Sequence, residues 1–337
     1  MNYSDVVIVG SGPAGLATAI AAKNTGLSSR VFEKAVLVNT ILRFPINMVF
    51  FTTPELLELG GLPFVSPYEK PTRVEALSYY RRVVDTYNLQ IELGREVIGI
   101  GREKIGLNGT EGLAVETQSE SGSREVHHAF AVVVATGCYD NPNMLAVPGE
   151  NLPHVSHYYD EAHAYYRKRV VIVGGKNSAA EAALELYRGG AHVTLIHRGS
   201  ELGDSIKYWV RPDIENRILE GSVTARFETE VSEINSREII VEHKGIRKIL
   251  PADAVFLLTG YHTDGDLLTR FGIKVDPVTS KPEHDRETFE TNVQGLYLAG
   301  TVVSGIQSAQ IFIENGRFHG ETVVKQIQKR LQTREKR

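Results

Sequence analysis

Val6-Val7-Ile8-Val9-Gly10-Ser11-Gly12-Pro13-Ala14-Gly15 runs four apolar residues straight into a glycine-rich turn. A short apolar run bounded by glycine predicts a buried strand. The residues that follow, Leu16-Ala17-Thr18-Ala19-Ile20-Ala21-Ala22, predict a helix. A first glycine permits the tight turn, a second lets a pyrophosphate approach the backbone, and a third allows close helix–strand packing. The helix N-terminus adds N–H donors and partial positive charge. Residues 29–32 predict a returning strand, and Glu33 closes it at the spacing of a carboxylate that bonds ribose hydroxyls. Strand, turn, helix and parallel strand make one βαβ unit.

The same grammar returns later. Val170-Val171-Ile172-Val173 leads into Gly174-Gly175-Lys176-Asn177-Ser178-Ala179, a helical stretch over residues 180–187 and a second strand over 192–196. Two copies predict an α/β chain with two Rossmann-like dinucleotide-binding domains, the FAD/NAD(P)-binding fold. The second copy departs from the first in its chemistry. Lys176 replaces the middle glycine and brings a cation beside the phosphates, and Ala179 takes the third position. The strand ends in His197-Arg198 instead of an acid. A carboxylate there would repel a 2′-phosphate, whereas arginine binds one through a fork of donors. The acidic site therefore suits FAD and the cationic one NADPH, a pairing that implies hydride transfer to a flavin.

Each copy has a later strand that closes on glycine, Ala131-Val132-Val133-Val134-Ala135-Thr136-Gly137 and Ala254-Val255-Phe256-Leu257-Leu258-Thr259-Gly260. Small residues there let backbone meet a bound dinucleotide, which adds Ala135, Thr136 and Gly137 to the first site and Gly260 to the second. Residues 89–125 read as antiparallel strands, a meander inserted in the first unit. Residues 141–168, rich in Pro, His and Tyr, read as a linker. After Gly260 the chain is expected to return to the first domain through the strand Gly295-Leu296-Tyr297-Leu298-Ala299-Gly300. A long final helix over 307–334, starting near Gln307-Ser308-Ala309, would aim its dipole at the flavin. The expected division is an FAD domain of residues 1–157 and 263–337, interrupted by an NADPH domain of residues 158–262.

Composition narrows the class. A chain of 337 residues has room for two domains, and 42% hydrophobic with 23% charged residues is ordinary for a globular protein. A net charge of -4 lacks the basic excess of nucleic-acid binders. The basic run over residues 325–337 reads as the solvated end of a helix. No apolar run approaches the roughly 18–20 residues of a membrane helix, and no signal peptide is expected, so the protein is expected to be cytoplasmic. The single Cys138 excludes an intrachain disulfide, a C-x-x-C pair and a cysteine zinc site. His127-His128, His154 and His157 lack a convergent partner set and read as satisfied structural residues, so no metal is expected. No G-x-S-x-G elbow supports a hydrolase.

Further segments carry a family likeness. They are Phe50-Phe51-Thr52-Thr53, Lys70-Pro71 with Arg73, Ala76-Leu77 with Tyr79-Tyr80-Arg81, and His157-Tyr158. Gly174-Gly175-Lys176-Asn177-Ser178-Ala179, Ser205-Ile206-Lys207 with Trp209, and Gly260-Tyr261-His262 continue the pattern. Glu290-Thr291-Asn292 and Phe312-Ile313-Glu314-Asn315-Gly316 with His319-Gly320 complete it. On these the chain resembles the thioredoxin-reductase-like flavoproteins, in which an NADPH domain is inserted into an FAD domain. Within them it looks most like the bacillithiol-disulfide reductases, over nearly its whole length. The resemblance implies FAD, NADPH, a homodimer or homotetramer, and reduction of a low-molecular-weight thiol disulfide such as bacillithiol disulfide. It adds Lys34 and Val97 to the flavin contacts and brings Gly300 and Thr301 to the ribityl chain, Thr301 standing where an acid is usual.

Two departures matter. The segment that carries C-x-x-C in thioredoxin reductases reads His157-Tyr158-Tyr159-Asp160 here, which rules out the usual dithiol relay. Many bacillithiol-disulfide reductases carry a cysteine in the first glycine turn at the position of Ala14. Cys138 is the only replacement, as a thiolate nucleophile or, alternatively, as a small buried hydrophobe. Three other readings stay open: a ferredoxin–NADP reductase of the same fold, which needs no thiol; a flavin monooxygenase, less supported in so short a chain; and a flavoprotein redox sensor without turnover.

Overall fold

The computed structural model describes residues 3–105, 110–307 and 310–335. The chain forms two compact units. The first comprises Met1–Leu42, Met48–Asn141 and Tyr261–Arg337, and the second Arg43–Asn47 and Pro142–Gly260.

The first unit opens with β1 (Tyr3–Val9), α1 (Pro13–Asn24) and β2 (Ser29–Glu33). The short α2 (Asn39–Leu42), α3 (Arg73–Tyr87) and β3 (Ile91–Leu93) follow, and then the long β4 (Arg95–Ile105), β5 (Thr110–Ser119) and β6 (Arg124–Val134). Their sheet has the order β3-β2-β1-β6-β5-β4. Val6 to Val9 are all buried because β1 lies between parallel neighbours, with its two faces covered. Val7 and Val9 pack on one face with Phe32, Val115 and Val132, while α1, buried from Gly15 to Ala22, covers the other. The strands β4, β5 and β6 form the expected antiparallel meander, but β3 departs from it by pairing parallel to β2, Val31 opposite Ile91. The crossover through α3 returns the chain in its original direction, which is what a parallel pairing requires. A capping box starts α3: Thr72 accepts from the Glu75 amide, and the Glu75 carboxylate accepts from the Thr72 amide at 2.8 Å.

In the second unit β7 (Val155–Ser156) precedes β8 (Arg169–Val173), α4 (Asn177–Arg188) and β9 (His192–Ile196). Next come α5 (Arg211–Leu219), β10 (Thr224–Arg226), the hairpin strands β11 (Thr229–Asn235), β12 (Glu238–His243) and β13 (Ile246–Pro251), and β14 (Ala254–Leu257). A parallel sheet of order β10-β9-β8-β14-β7 carries α4 on one face and the three antiparallel strands on the other. The segment read as a linker thus supplies an edge strand, since Val155 pairs with Val255.

Back in the first unit, α6 (Gly265–Arg270) leads to β15 (Leu296–Leu298), which lies parallel to the last three residues of β6. The expected final helix is broken into α7 (Ile313–Gly316) and α8 (His319–Glu335); Ser308 and Ala309, where it was to begin, lie outside the described residues. Tertiary anchors decide the break. Arg317 Nη1 donates to the Glu55 and Glu58 carbonyls, and Asn315 closes its own turn on the Phe312 amide at 2.8 Å. Among the described residues no helix is long and apolar enough to cross a membrane.

Candidate functional site

The three glycines of the first turn meet different demands. Gly10 has φ +104°, and a Cβ on it would stand 2.7 Å from the Ala135 carbonyl oxygen. A Cβ on Gly15 would stand 2.0 Å from the Gly10 oxygen. The chain's own packing therefore requires both. Gly12 is the N-cap of α1 with φ -68°, a conformation open to any residue, and a Cβ there would meet nothing within 4 Å. No side chain caps α1, and Pro13 brings no N–H. Open space next to uncapped helix amides is the cradle a pyrophosphate needs.

Glu33, at the end of β2, is buried and spends its carboxylate on this turn. Oε2 accepts from the Ser11 amide at 2.9 Å and the Ser11 hydroxyl at 3.0 Å, and Oε1 from the Ala35 amide at 3.0 Å. Of about four lone-pair directions, one is left for a ribose hydroxyl. Lys34 pairs with Asp140 at 2.8 Å. Burial opposes its charge, but Asp140, with Glu96 and Glu33, outweighs that and raises its pKa. The Val97 side chain belongs to the core, so what it can offer is its main chain, on the edge strand β4 next to the register shift between Val97 and Gly99. Gly137 has φ +70° and open space before it. Past β15, Gly300 has φ +78°, and a Cβ on it would stand 2.6 Å from the Ala14 Cβ. The ends of β1, β2, β6 and β15 therefore converge on one edge, the carboxyl end of the strands, where open α/β sheets bind ligands. Cys138 follows Gly137, half-buried, beside Tyr139, whose ring packs on Tyr261 at 4.4 Å.

The turn after β8 repeats the geometry with altered chemistry. A Cβ on Gly174 would stand 2.6 Å from the Leu258 carbonyl oxygen, and one on Gly175 would fall 2.5 Å from the His197 ring. Lys176 is the N-cap of α4, where the first unit has Gly12. Lys176 and Arg198 are both exposed, and among the described residues neither has an ion-pair partner. Burial, then the charges of Arg198 and Lys176, lowers the pKa of His197, so three basic side chains share one field. Gly260, φ +92°, accepts from the Asn143 amide at 2.9 Å.

Two groups of the neighbourhood escaped the reading of the sequence. Glu181, one turn into α4, has its pKa pushed up to about 7 by burial and then by Glu185. It accepts from Asn177 Nδ2 at 2.9 Å, and Asn177 Oδ1 in turn accepts from the Lys207 amide at 3.2 Å. The i, i+4 spacing of two acids on an otherwise alanine-rich helix was the available signal. The second is His319, at the start of α8, whose Nδ1 accepts from the Gly300 amide at 3.1 Å. The expectation of satisfied histidines also needs correction. His127 is buried against Phe32 at 4.6 Å, and its Nε2, like that of His154, has no hydrogen-bond partner. Among the described residues no group of three or more His, Cys, Asp or Glu is placed to hold a metal ion.

Comparison with known proteins agrees with this geometry. Residues 7–300 match the family described as pyridine nucleotide-disulphide oxidoreductase. The chain is 40% identical to the bacilliredoxin reductase Bdr of Bacillus subtilis (strain 168), over 98% of this chain and 99% of that one. The solved bacillithiol disulfide reductase Bdr of Bacillus cereus superposes with a TM-score of 0.92 at 39% identity, over 97% of this chain and 99% of the other. Its counterpart from Staphylococcus aureus gives 0.90 at 35%, over 98% and 99%. Two glycine turns at helix N-termini, one beside a buried acid and one beside exposed cations, and a likeness that runs end to end lead to one assignment. The chain belongs to the pyridine nucleotide-disulphide oxidoreductase family, as a flavoprotein oxidoreductase that uses FAD and NADPH.

Proposed function

We propose that the protein uses NADPH to reduce a low-molecular-weight thiol disulfide, bacillithiol disulfide or a close relative, free or carried on a small redox protein. The likeness to the two Bdr structures supports that substrate class. The observation that carries the reading is the contrast between the two turns: open space and a buried acid in one, exposed Lys176 and Arg198 in the other.

The first unit is read as the FAD-holding one. Gly10, Ser11, Gly12, Pro13, Ala14 and Gly15 form the pyrophosphate cradle with the α1 amides. Glu33 and Lys34 flank the ribose, the Val97 main chain lies further along, and Ala135, Thr136, Gly137, Gly300 and Thr301 line the remainder. The second unit is read as the NADPH-holding one, with Gly174 to Ala179 at the pyrophosphate, His197 and Arg198 at the 2′-phosphate, and Gly260 beside the nicotinamide half. FAD, when bound, supplies two-electron chemistry between NADPH and a disulfide. The protein's part is to orient, to exclude water and to hold charge where it develops.

Ala14 brings a methyl group to the first turn, which leaves Cys138 as the thiol of the chain. Its thiolate attacks one sulfur of the disulfide and the other sulfur leaves as a thiolate; two electrons from NADPH then return Cys138 to its thiolate and release the second thiol. The absence of a thiol at Ala14 also favours a second reading, a ferredoxin–NADP reductase, in which no cysteine takes part. The experiment separates them. The FAD-loaded protein is reduced anaerobically with NADPH and offered bacillithiol disulfide, ferredoxin or oxygen in turn, alongside Cys138→Ser. Rapid reoxidation by the disulfide supports the proposal, and its loss in Cys138→Ser assigns the nucleophile. Reoxidation by ferredoxin alone sinks the disulfide reading.

A further inference from the structure

The residues around Gly300 form a built arrangement that neither glycine turn accounts for. Gly300 stands in the left-handed region at φ +78°, against Ala14, and its amide donates to His319 Nδ1 at 3.1 Å. An imidazole that accepts at Nδ1 carries its proton on Nε2 and is neutral. Burial, and after it the charge of His284, lowers the pKa of His319 to about 4, so the acceptor persists throughout the neutral range. The ring is stacked on Phe289 at 4.2 Å and 22°.

Phe289 is itself held against its preference. Its φ is +59°, a region a bulky side chain adopts only when its surroundings over-determine it. The Phe289 amide donates to the Asp285 carbonyl at 2.9 Å, and its carbonyl accepts from the Leu298 amide at 3.0 Å. The Asp285 carboxylate organises the same loop by accepting from the Glu287 and Thr288 amides at 3.0 and 2.8 Å. A strained aromatic therefore pins a neutral histidine, which pins the amide of the glycine that meets α1.

We propose that His319 is a positioning residue of the flavin site: it fixes the Gly300 amide, and thereby the turn that presents Thr301 and abuts Ala14 at the start of α1. The inference rests on the reading of the first unit as the FAD-holding one. Without the acceptor, the buried Gly300 amide loses its partner, in a turn so close to α1 that a Cβ on Gly300 would stand 2.6 Å from the Ala14 Cβ. His319 touches no reacting atom in this scheme; it acts through Gly300.

The test uses full-length protein stripped of flavin. FAD is titrated against wild type, His319→Asn, His319→Gln and His319→Leu by quenching of flavin fluorescence. The visible spectrum of the bound flavin and the thermal midpoint of the apoprotein are recorded in parallel. The Asn carbonyl oxygen falls close to the place of Nδ1, the Gln oxygen lies one bond further out, and Leu offers no acceptor. Asn is expected to keep the Kd within about threefold of wild type, while Gln and Leu raise it by about tenfold and shift the spectrum. Wild-type Kd and spectrum in all three variants, whatever their apoprotein midpoints, overturn the proposal. If the Leu variant does not fold, the other two decide: equal affinities overturn it and the ordered loss supports it. Wild-type protein that binds no FAD overturns the flavin reading itself and this inference with it.

Discussion

The Glu33 carboxylate holds Ser11 twice, by its amide at 2.9 Å and its hydroxyl at 3.0 Å, through one oxygen. The acid at the end of β2 thus shapes the turn that follows β1, in addition to any part in binding ribose. Glu33→Gln puts an amide NH2 where one of three donors now finds an acceptor. The apoprotein is expected to lose about 1–3 kcal/mol, read as a lower denaturant midpoint, and FAD affinity is expected to fall with it. An unchanged midpoint would show that Ser11 is held by other means.

Gly12 and Gly15 should separate binding from folding. Gly12→Ala adds a methyl to open space at an ordinary φ, so the apoprotein keeps its thermal midpoint while FAD binding weakens. Gly15→Ala forces a methyl to 2.0 Å from a backbone oxygen and should cost the fold several kcal/mol, or prevent it. Equal effects of the two on stability would remove the argument for a cradle at Gly12.

Arg198 should choose between the nicotinamide cofactors. It is exposed without an ion-pair partner among the described residues, beside Lys176 and His197. Arg198→Ala is expected to raise the KM for NADPH by about tenfold to a hundredfold and to leave NADH nearly unchanged, because a charge-assisted bond to phosphate is worth about 1.5–3 kcal/mol. Steady-state kinetics with both cofactors decide it. Equal losses would place the 2′-phosphate elsewhere.

Glu181 sets a pH dependence of known sign. Its pKa rises from 4.5 unfolded to about 7 folded, so between those values the native state binds the extra proton. Stability from this group is complete below about pH 4.5 and is lost as pH rises through about 7, up to roughly 3 kcal/mol in all. Glu181→Gln keeps an acceptor for Asn177 and carries no charge. It should match wild type near pH 5 and exceed it in thermal midpoint at pH 8. A gain that is constant across this range would contradict the shift.

How far the sequence carries is clearest from individual residues. Gly10, Gly15 and Gly174 were legible because each answers a steric demand set within its own turn or by the neighbouring strand end, and the strands Val6–Val9 and Val170–Val173 because burial on both faces writes a continuous apolar run. Val155 could not be read, since two residues of strand in a segment rich in Pro, His and Tyr acquire their state only by pairing with Val255. The break before His319 depends on Arg317 reaching the Glu55 and Glu58 carbonyls, a partnership no local pattern encodes. The pairing of Lys34 with Asp140 was not legible either, and Glu181 owes its raised pKa to burial within its unit. Periodicity and turn chemistry are local; protonation and strand pairing are not.

The edge of β6 that receives both β5 and β15 has a consequence for biosynthesis. Val132 donates its amide to the Gly295 carbonyl at 2.9 Å, and between those two residues in chain order lies the main segment of the second unit, Pro142–Gly260. During translation the inserted unit emerges entire and can fold while the first still lacks its last strand; closing that sheet is a long loop closure deferred to the end of synthesis. Pulse-labelled refolding should find the Val132 amide among the last to gain protection from exchange.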